Sequence, residues 1–219
     1  MRQIDLDATV AAIASELPGA AELFRRHDIN FCCAGDIALA DAAVRAGLVP
    51  EELLAQLQAL SAAASREAPE ETSALISHIL ERYHETHRAE LEWLIPLSQK
   101  VERVHGDHPS APTGLSVILE GLNADLEEHM KAEEQTLFPM MQKGDHLMLA
   151  AQVAQVRDEH REQARHLQAI EHVTHGLTLP PGACRSWNAL YTALHKLIDD
   201  LVAHTHLEDQ VLFPRFQPR

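Results

Sequence analysis

Along the C-terminal two-thirds of the chain, apolar residues recur at alternating spacings of three and four, the stripe of a helix that faces a core. Four such segments can be drawn. The first carries Leu80, His84, His87, Leu91, Leu94 and Val101, and the second Leu115, Leu119, Leu122, Leu126, His129 and Glu133. The third carries Leu149, Val153, Val156, His160, Leu167 and Ile170, and the fourth Leu190, Leu194, Leu197, Leu201, His204, Glu208 and Val211. Breaks at 106–112, 143–145 and 176–183 hold the Gly and Pro residues at which helices end. The expected fold is all-α, an up-down four-helix bundle. Pro96 predicts a kink in the first helix, because it donates no backbone hydrogen bond and crowds the carbonyl of Glu92.

A shorter helical pattern precedes the bundle. Val10, Ile13, Leu17, Leu23 and Phe24 lie on one side of a break at Cys32, Cys33 and Gly35, and Leu53, Leu54 and Leu57 on the other. The small, polar run at 61–71 ends in a proline and two acids and marks a boundary. The chain therefore divides into a small helical domain (1–62), a linker (63–72) and the bundle (73–219).

Polar residues on the bundle stripe change the picture. Burying a carboxylate or an imidazole among leucines costs several kcal/mol unless it is paired or bound to metal. Moreover, the pattern repeats. At an offset of 75, HMKAEEQTLFP (129–139) superposes on HTHLEDQVLFP (204–214), and at an offset of 76 Tyr83-His84-Glu85 falls on Glu159-His160-Arg161. Each hairpin thus contributes one His from its first helix and a His-x-x-x-Glu pair from its second. Residues i and i+4 share a helix face about 5–6 Å apart, so each pair can direct an imidazole and a carboxylate at one point. Four His and two Glu are too many donors for one tetrahedral zinc and suit two octahedral ions. Two iron ions are expected, bridged by Glu133 and Glu208 and by an oxo or hydroxo group, although the donor types admit manganese as well. A ferritin-like layout needs Glu-x-x-His from two helices and a lone Glu from each of the others. Here Glu81-x-x-His84 and Glu102-x-x-His105 share one helix and the third stripe offers no Glu, which rejects it.

Charge and composition narrow the class. Lys+Arg 18 against Asp+Glu 33 gives a net charge of −15, which argues against nucleic-acid and anionic-membrane partners. No apolar stretch approaches the roughly 20 residues that span a bilayer, and the N-terminus lacks a signal-peptide pattern, so a cytoplasmic location is expected. Three cysteines make no disulfide framework. Cys32 and Cys33, beside Gly35, favour accessible thiolates able to bind iron or exchange with a disulfide, against the alternative of two small buried hydrophobes.

The metal-ligand pattern resembles the hemerythrin-like (HHE) family over residues 73–214. Oxygen-carrying hemerythrins have a fifth histidine one turn after the third-helix ligand and an Asp ligand five residues after the last His; this chain has Ala164 at the first of those positions and offers Glu208, at a spacing of four, in place of the second ligand. The run at 23–43, LFRRHDINFCCAGDIALADAA, resembles the ScdA-type N-terminal domain. Together the two resemble the repair of iron centres (RIC) family. That resemblance implies a stress-response protein that restores iron-sulfur clusters damaged by nitric oxide or oxidants, by supplying iron. Damaged iron-sulfur proteins and the small ligands nitric oxide or dioxygen are the implied partners, with a homodimer left open. Nitric oxide binding or reduction at the di-iron centre, and sensing of oxygen or nitric oxide, are the alternatives.

Other histidines receive blander readings. His87 could replace His84, but the hairpin repeat selects His84. His105 reads as a buried or supporting residue, and Glu159 as a solvated helix residue rather than a proton path. His146, His166, His172, His175, His195 and His206 read as surface residues, and Cys184 as packing at the start of the fourth helix.

Overall fold

The computed structural model describes residues 4–31, 35–66, 68–143 and 149–216. Cys32, Cys33 and His146 lie outside them. Four helices form the N-terminal unit: α1 (Val10–Glu16), α2 (Ala20–Arg26), α3 (Leu39–Arg45) and α4 (Pro50–Arg66). The Thr9 hydroxyl caps α1 by accepting from Ala12 N at 3.3 Å, the role that favours Thr at this position. Pro50 opens α4 with Glu51 and Glu52 behind it, so the first turn needs no proline N–H and gains acids at its positive end. Val10, Ile13, Leu17, Phe24, Leu39, Leu53 and Leu57 close a separate core. Gly35 is required there: a Cβ would sit 2.1 Å from the Phe31 carbonyl oxygen. α4 runs to Arg66, into the stretch expected to be linker, because Ala62, Ala63 and Ala64 are strong helix formers.

The bundle follows, built of helical rods alone among the described residues. Its first rod joins α5 (Thr72–Ile79) through a π turn (Leu80–His84) to α6 (Glu85–His105), which continues through Pro96. The second joins α7 (Leu115–Ala132) through a π turn (Glu133–Leu137) to α8 (Phe138–Lys143). The third is α9 (Leu149–Val173). The fourth joins α10 (Arg185–His206) through a π turn (Leu207–Leu212) to a 3-10 turn (Phe213–Phe216). α6 packs on α7 and α10, and α7 on α9.

Two apolar clusters fill the bundle. One holds Leu91, Leu94, Leu122, Leu126, Leu167 and Leu201 with Trp187; the other holds Ile79, Leu137, Phe138, Val156, Leu212 and Phe213. In each rod the histidines and glutamates fall between residues of the two clusters. The N-terminal unit rests on the bundle through α1, against α9 and α10, and through α4, against the last π turn. Arg25 reaches across to Glu171 at 3.4 Å. Among the described residues no helix is long and apolar enough to cross a membrane.

Candidate metal centre

The three π turns all touch the polar layer. Their i→i−5 bonds run from Glu85 N to Leu80 O, Phe138 N to Glu133 O and Phe213 N to Glu208 O, and π turns inside α-helices often mark functional sites. The last two occupy equivalent places in the repeat, each just ahead of a Phe-Pro pair. Pro139 and Pro214 bring no N–H and crowd the carbonyls of Gln135 and Gln210. Wider winding upstream relieves that crowding, and the duplicated Phe-Pro is the sequence signal for it.

All six residues singled out by the repeat meet in the bundle core. His84, Glu133, His204 and Glu208 form one set whose donor atoms lie within 4.8 Å of one another, and His129, Glu133, His160 and Glu208 form a second. Glu133 and Glu208 belong to both. Every member is buried, Glu133, His204 and Glu208 fully so. His84 Nε2 and His129 Nε2 each lie 3.4 Å from Glu133 Oε2. His160 Nε2 is 3.0 Å from Glu208 Oε2, and His204 Nε2 is 3.2 Å from Glu208 Oε1.

The donors fit metal ions on physical grounds. Both Glu133 oxygens, Glu208 Oε2 and the Nε2 atoms of His129 and His160 are buried without a hydrogen-bond partner, a state that costs about 1–3 kcal/mol per group. Ligands at about 2.1 Å from one ion and at right angles to each other stand about 3 Å apart, close to the separations seen.

Three carboxylates outside the six hold the imidazoles from behind. Glu134 Oε1 is 2.9 Å from His84 Nδ1, Glu159 Oε2 is 2.9 Å from His129 Nδ1, and Asp209 Oδ2 is 3.2 Å from His160 Nδ1. Such partners fix the tautomer and raise the basicity of the ligating nitrogen. Glu159 is therefore not a solvated helix residue, because its side chain turns inward to an imidazole on the facing helix. Glu134 and Asp209 went unread in the sequence, although they are equivalent in the repeat. Burial opposes charge on His160, but Asp209 and Glu208 outweigh it and push this imidazole up to about 10. Burial and the neighbouring His84 instead hold His204 well below the usual imidazole value. His87, fully buried, is pushed down to about 2 by burial and then by His204.

Other sequence expectations change as well. His206 is buried, not exposed, because α1 covers it; it lines a cavity of about 420 Å³ with Ser15, Arg157, His160 and Ala164. His166 pairs with Asp125 at 2.8 Å and is only partly exposed, as is His195. His172 and His175 are exposed. His105 stands away from the centre, with Nε2 3.1 Å from Cys184 Sγ and its ring on Trp187.

A helical bundle with two buried donor sets sharing two glutamates defines a cation-binding protein. The chain belongs to the hemerythrin HHE cation binding domain family, which it matches over residues 75–216, while residues 6–61 match a domain of unknown function (DUF542). It is 41% identical over 213 residues to the iron-sulfur cluster repair protein YtfE of Escherichia coli O17:K52:H18, covering 95% of this chain and 96% of the relative. The protein of the same name from Shigella boydii serotype 18 shows the same identity and coverage.

Proposed function

We propose that this protein repairs iron-sulfur clusters damaged by nitrosative or oxidative stress, and that it does so by supplying iron from a di-iron centre. In this reading His84 and His204 would hold one ion, His129 and His160 the other, and Glu133 and Glu208 would contribute to both. The observation that carries it is the sharing of both glutamates between two buried donor sets, joined to the name that the YtfE relatives bear. Bound iron would supply an exchangeable, redox-active metal to which small diatomic ligands have access. The chain's own residues exclude water through the two apolar clusters, orient the imidazoles through Glu134, Glu159 and Asp209, and keep the bridging carboxylates dry. Cys32 and Cys33 are proposed to take up or pass on the iron.

The test has two parts. Purified protein is expected to bind two irons per chain and to restore a damaged iron-sulfur enzyme under reducing conditions, and Cys32→Ser/Cys33→Ser is expected to abolish restoration without altering the iron spectrum. Protein that holds two irons yet restores nothing contradicts the reading. Nitric oxide reduction is the second reading, favoured by the cavity that reaches His160 beside Ala164. It predicts nitrous oxide over many turnovers, and a strictly stoichiometric yield rules it out.

A further inference from the structure

The internal repeat allows the two halves of the centre to be compared residue by residue. An offset of 75 carries His129, Glu133 and Glu134 onto His204, Glu208 and Asp209, and an offset of 76 carries Tyr83 and His84 onto Glu159 and His160. A symmetric centre would back all four imidazoles alike. This one does not.

In the His129/His160 set both Nδ1 atoms face a carboxylate. Glu159 uses Oε2 for His129 and spends Oε1 on the neutral amide of Gln155, while Asp209 uses Oδ2 for His160 and Oδ1 for Arg157. In the His84/His204 set only His84 is backed. Its partner atom, Glu134 Oε1, also accepts from Arg88 Nη1 at 2.8 Å, so a guanidinium draws on the same oxygen. His204 Nδ1 is buried with no hydrogen-bond partner. Where the repeat places Glu159 behind His129, it places Tyr83 against His204, and that ring is stacked on the imidazole at 5.3 Å and 3°. Stacking fixes the ring plane but supplies no acceptor to Nδ1. His87 does not make up the deficit, since neither of its nitrogens has a hydrogen-bond partner.

Loss of such a carboxylate partner typically weakens a histidine-bound metal about 10–100-fold. We propose that the two positions of the centre are unequal, and that the ion between His84 and His204 is released first while the ion between His129 and His160 is retained. The proposal rests on the di-iron reading above and specifies which iron is the deliverable one. The shared glutamates make stepwise release workable. After one ion leaves, Glu133 and Glu208 keep a cation, whereas loss of both strands two buried carboxylates together.

The experiment uses the full-length chain loaded anaerobically with two equivalents of Fe(II), or of Co(II) as an optical probe, and titrated with a chelator. Two release steps are expected, with affinities about 10–100-fold apart. Anomalous scattering from crystals of the one-ion form is expected to place that ion between His129 and His160. Glu159→Gln, which strips the backing from His129, is expected to bring the two affinities together, and Glu134→Gln to spread them further. A general weakening of the fold would lower both affinities and leave their ratio unchanged. A retained ion between His84 and His204, equal occupancy of both positions, or an unchanged ratio in Glu159→Gln overturns the proposal. The wild-type crystal measurement stands without either variant. A chain that binds fewer than two ions from the start overturns the di-iron reading itself, which separates the two failures.

Discussion

Replacing Glu133 by leucine separates what the site does for function from what it does for the fold. Glu133 is fully buried and neither of its oxygens has a hydrogen-bond partner, so without metal it is a carboxylate in an apolar layer beside imidazoles and a second carboxylate, Glu208. Leucine has a similar volume and suits the leucine-rich neighbourhood. Replacing a whole buried ion pair by apolar residues is often neutral or stabilising by about 1–4 kcal/mol, whereas removing one partner is costly when it strands a charge. Here the carboxylate removed faces a second one, Glu208, and His84, whose proton Glu133 helps to hold, can give that proton up, so a gain at the lower end, about 1–2 kcal/mol, is expected. At about 2–4 °C per kcal/mol for a chain of this length, the metal-free Glu133→Leu protein should melt about 2–8 °C above metal-free wild type. Metal inverts the order. With free ion at a thousand times its Kd the wild type gains about 4 kcal/mol, which the variant, lacking a ligand common to both sets, cannot match. Thermal denaturation followed by circular dichroism, with and without Fe(II) under anaerobic conditions, reads both signs. A metal-free variant that melts well below wild type, as a leucine-to-alanine core truncation does at about 2–5 kcal/mol, would refute the claim that the carboxylate is a burden on the fold.

Three further outcomes follow from named contacts. Asp209→Asn should weaken total metal binding about 10–100-fold, measured by equilibrium dialysis, with the helical spectrum unchanged. Arg25→Ala should cost about 1–2 kcal/mol at pH 7 by stranding Glu171, whose carboxyl is held above its ordinary value by burial, with Arg25 pulling the other way. Because a raised carboxyl contributes most to stability below 4.5 and less as pH rises through its folded value, the gap to wild type in urea melts should close as pH falls toward 4.5. Asp200 behaves oppositely. Burial raises it, but Arg82 and Lys196 outweigh burial and hold it below 3.8, so its contribution is full above that value and is lost as pH falls through the folded one. Asp200→Asn should therefore cost about 1 kcal/mol at pH 7, discounted for the partly exposed Arg82, and should flatten the acid limb of the stability curve.

The convergence of the six central side chains was legible in the sequence because each His-x-x-x-Glu pair lies within one helix and because the whole hairpin is duplicated. Spacing alone then says which residues share a face. The carboxylates behind the imidazoles were not legible in the same way. Glu134 meets His84, Glu159 meets His129 and Asp209 meets His160 across helices, and an acid beside a stripe residue on a helix ordinarily points to solvent. The π turns escaped because a stripe drawn with i+3 and i+4 steps absorbs one extra residue without complaint: the fourth stripe steps from Glu208 to Val211 as an ordinary i+3, whereas the wider winding buries Leu212 and leaves Val211 only partly buried. His206 escaped because it is covered by another unit of the chain, through α1, and periodicity within one helix carries no information about such a cover.

The placement of these features also explains how a bundle tolerates a layer that works against its own stability. Four side chains in the layer, Glu133, Glu208, His129 and His160, carry donor atoms that lack hydrogen bonds, and at about 1–3 kcal/mol per group the deficit is a large part of the net stability of an ordinary domain, about 5–15 kcal/mol. It is confined between two apolar clusters that draw on all four rods, so each helix is anchored on both sides of the layer and the donors cannot simply collapse together or swing out to water. Phe138 and Phe213, the first residues past two of the π turns, are buried in one of those clusters. Rewinding either turn to α would rotate its phenylalanine by about 100° out of that cluster. Packing outside the layer therefore holds the winding inside it, and a cation satisfies imidazoles and carboxylates at once. A layer kept in this way is preorganised to bind a cation, which the proposed supply of iron would require each time the site is refilled.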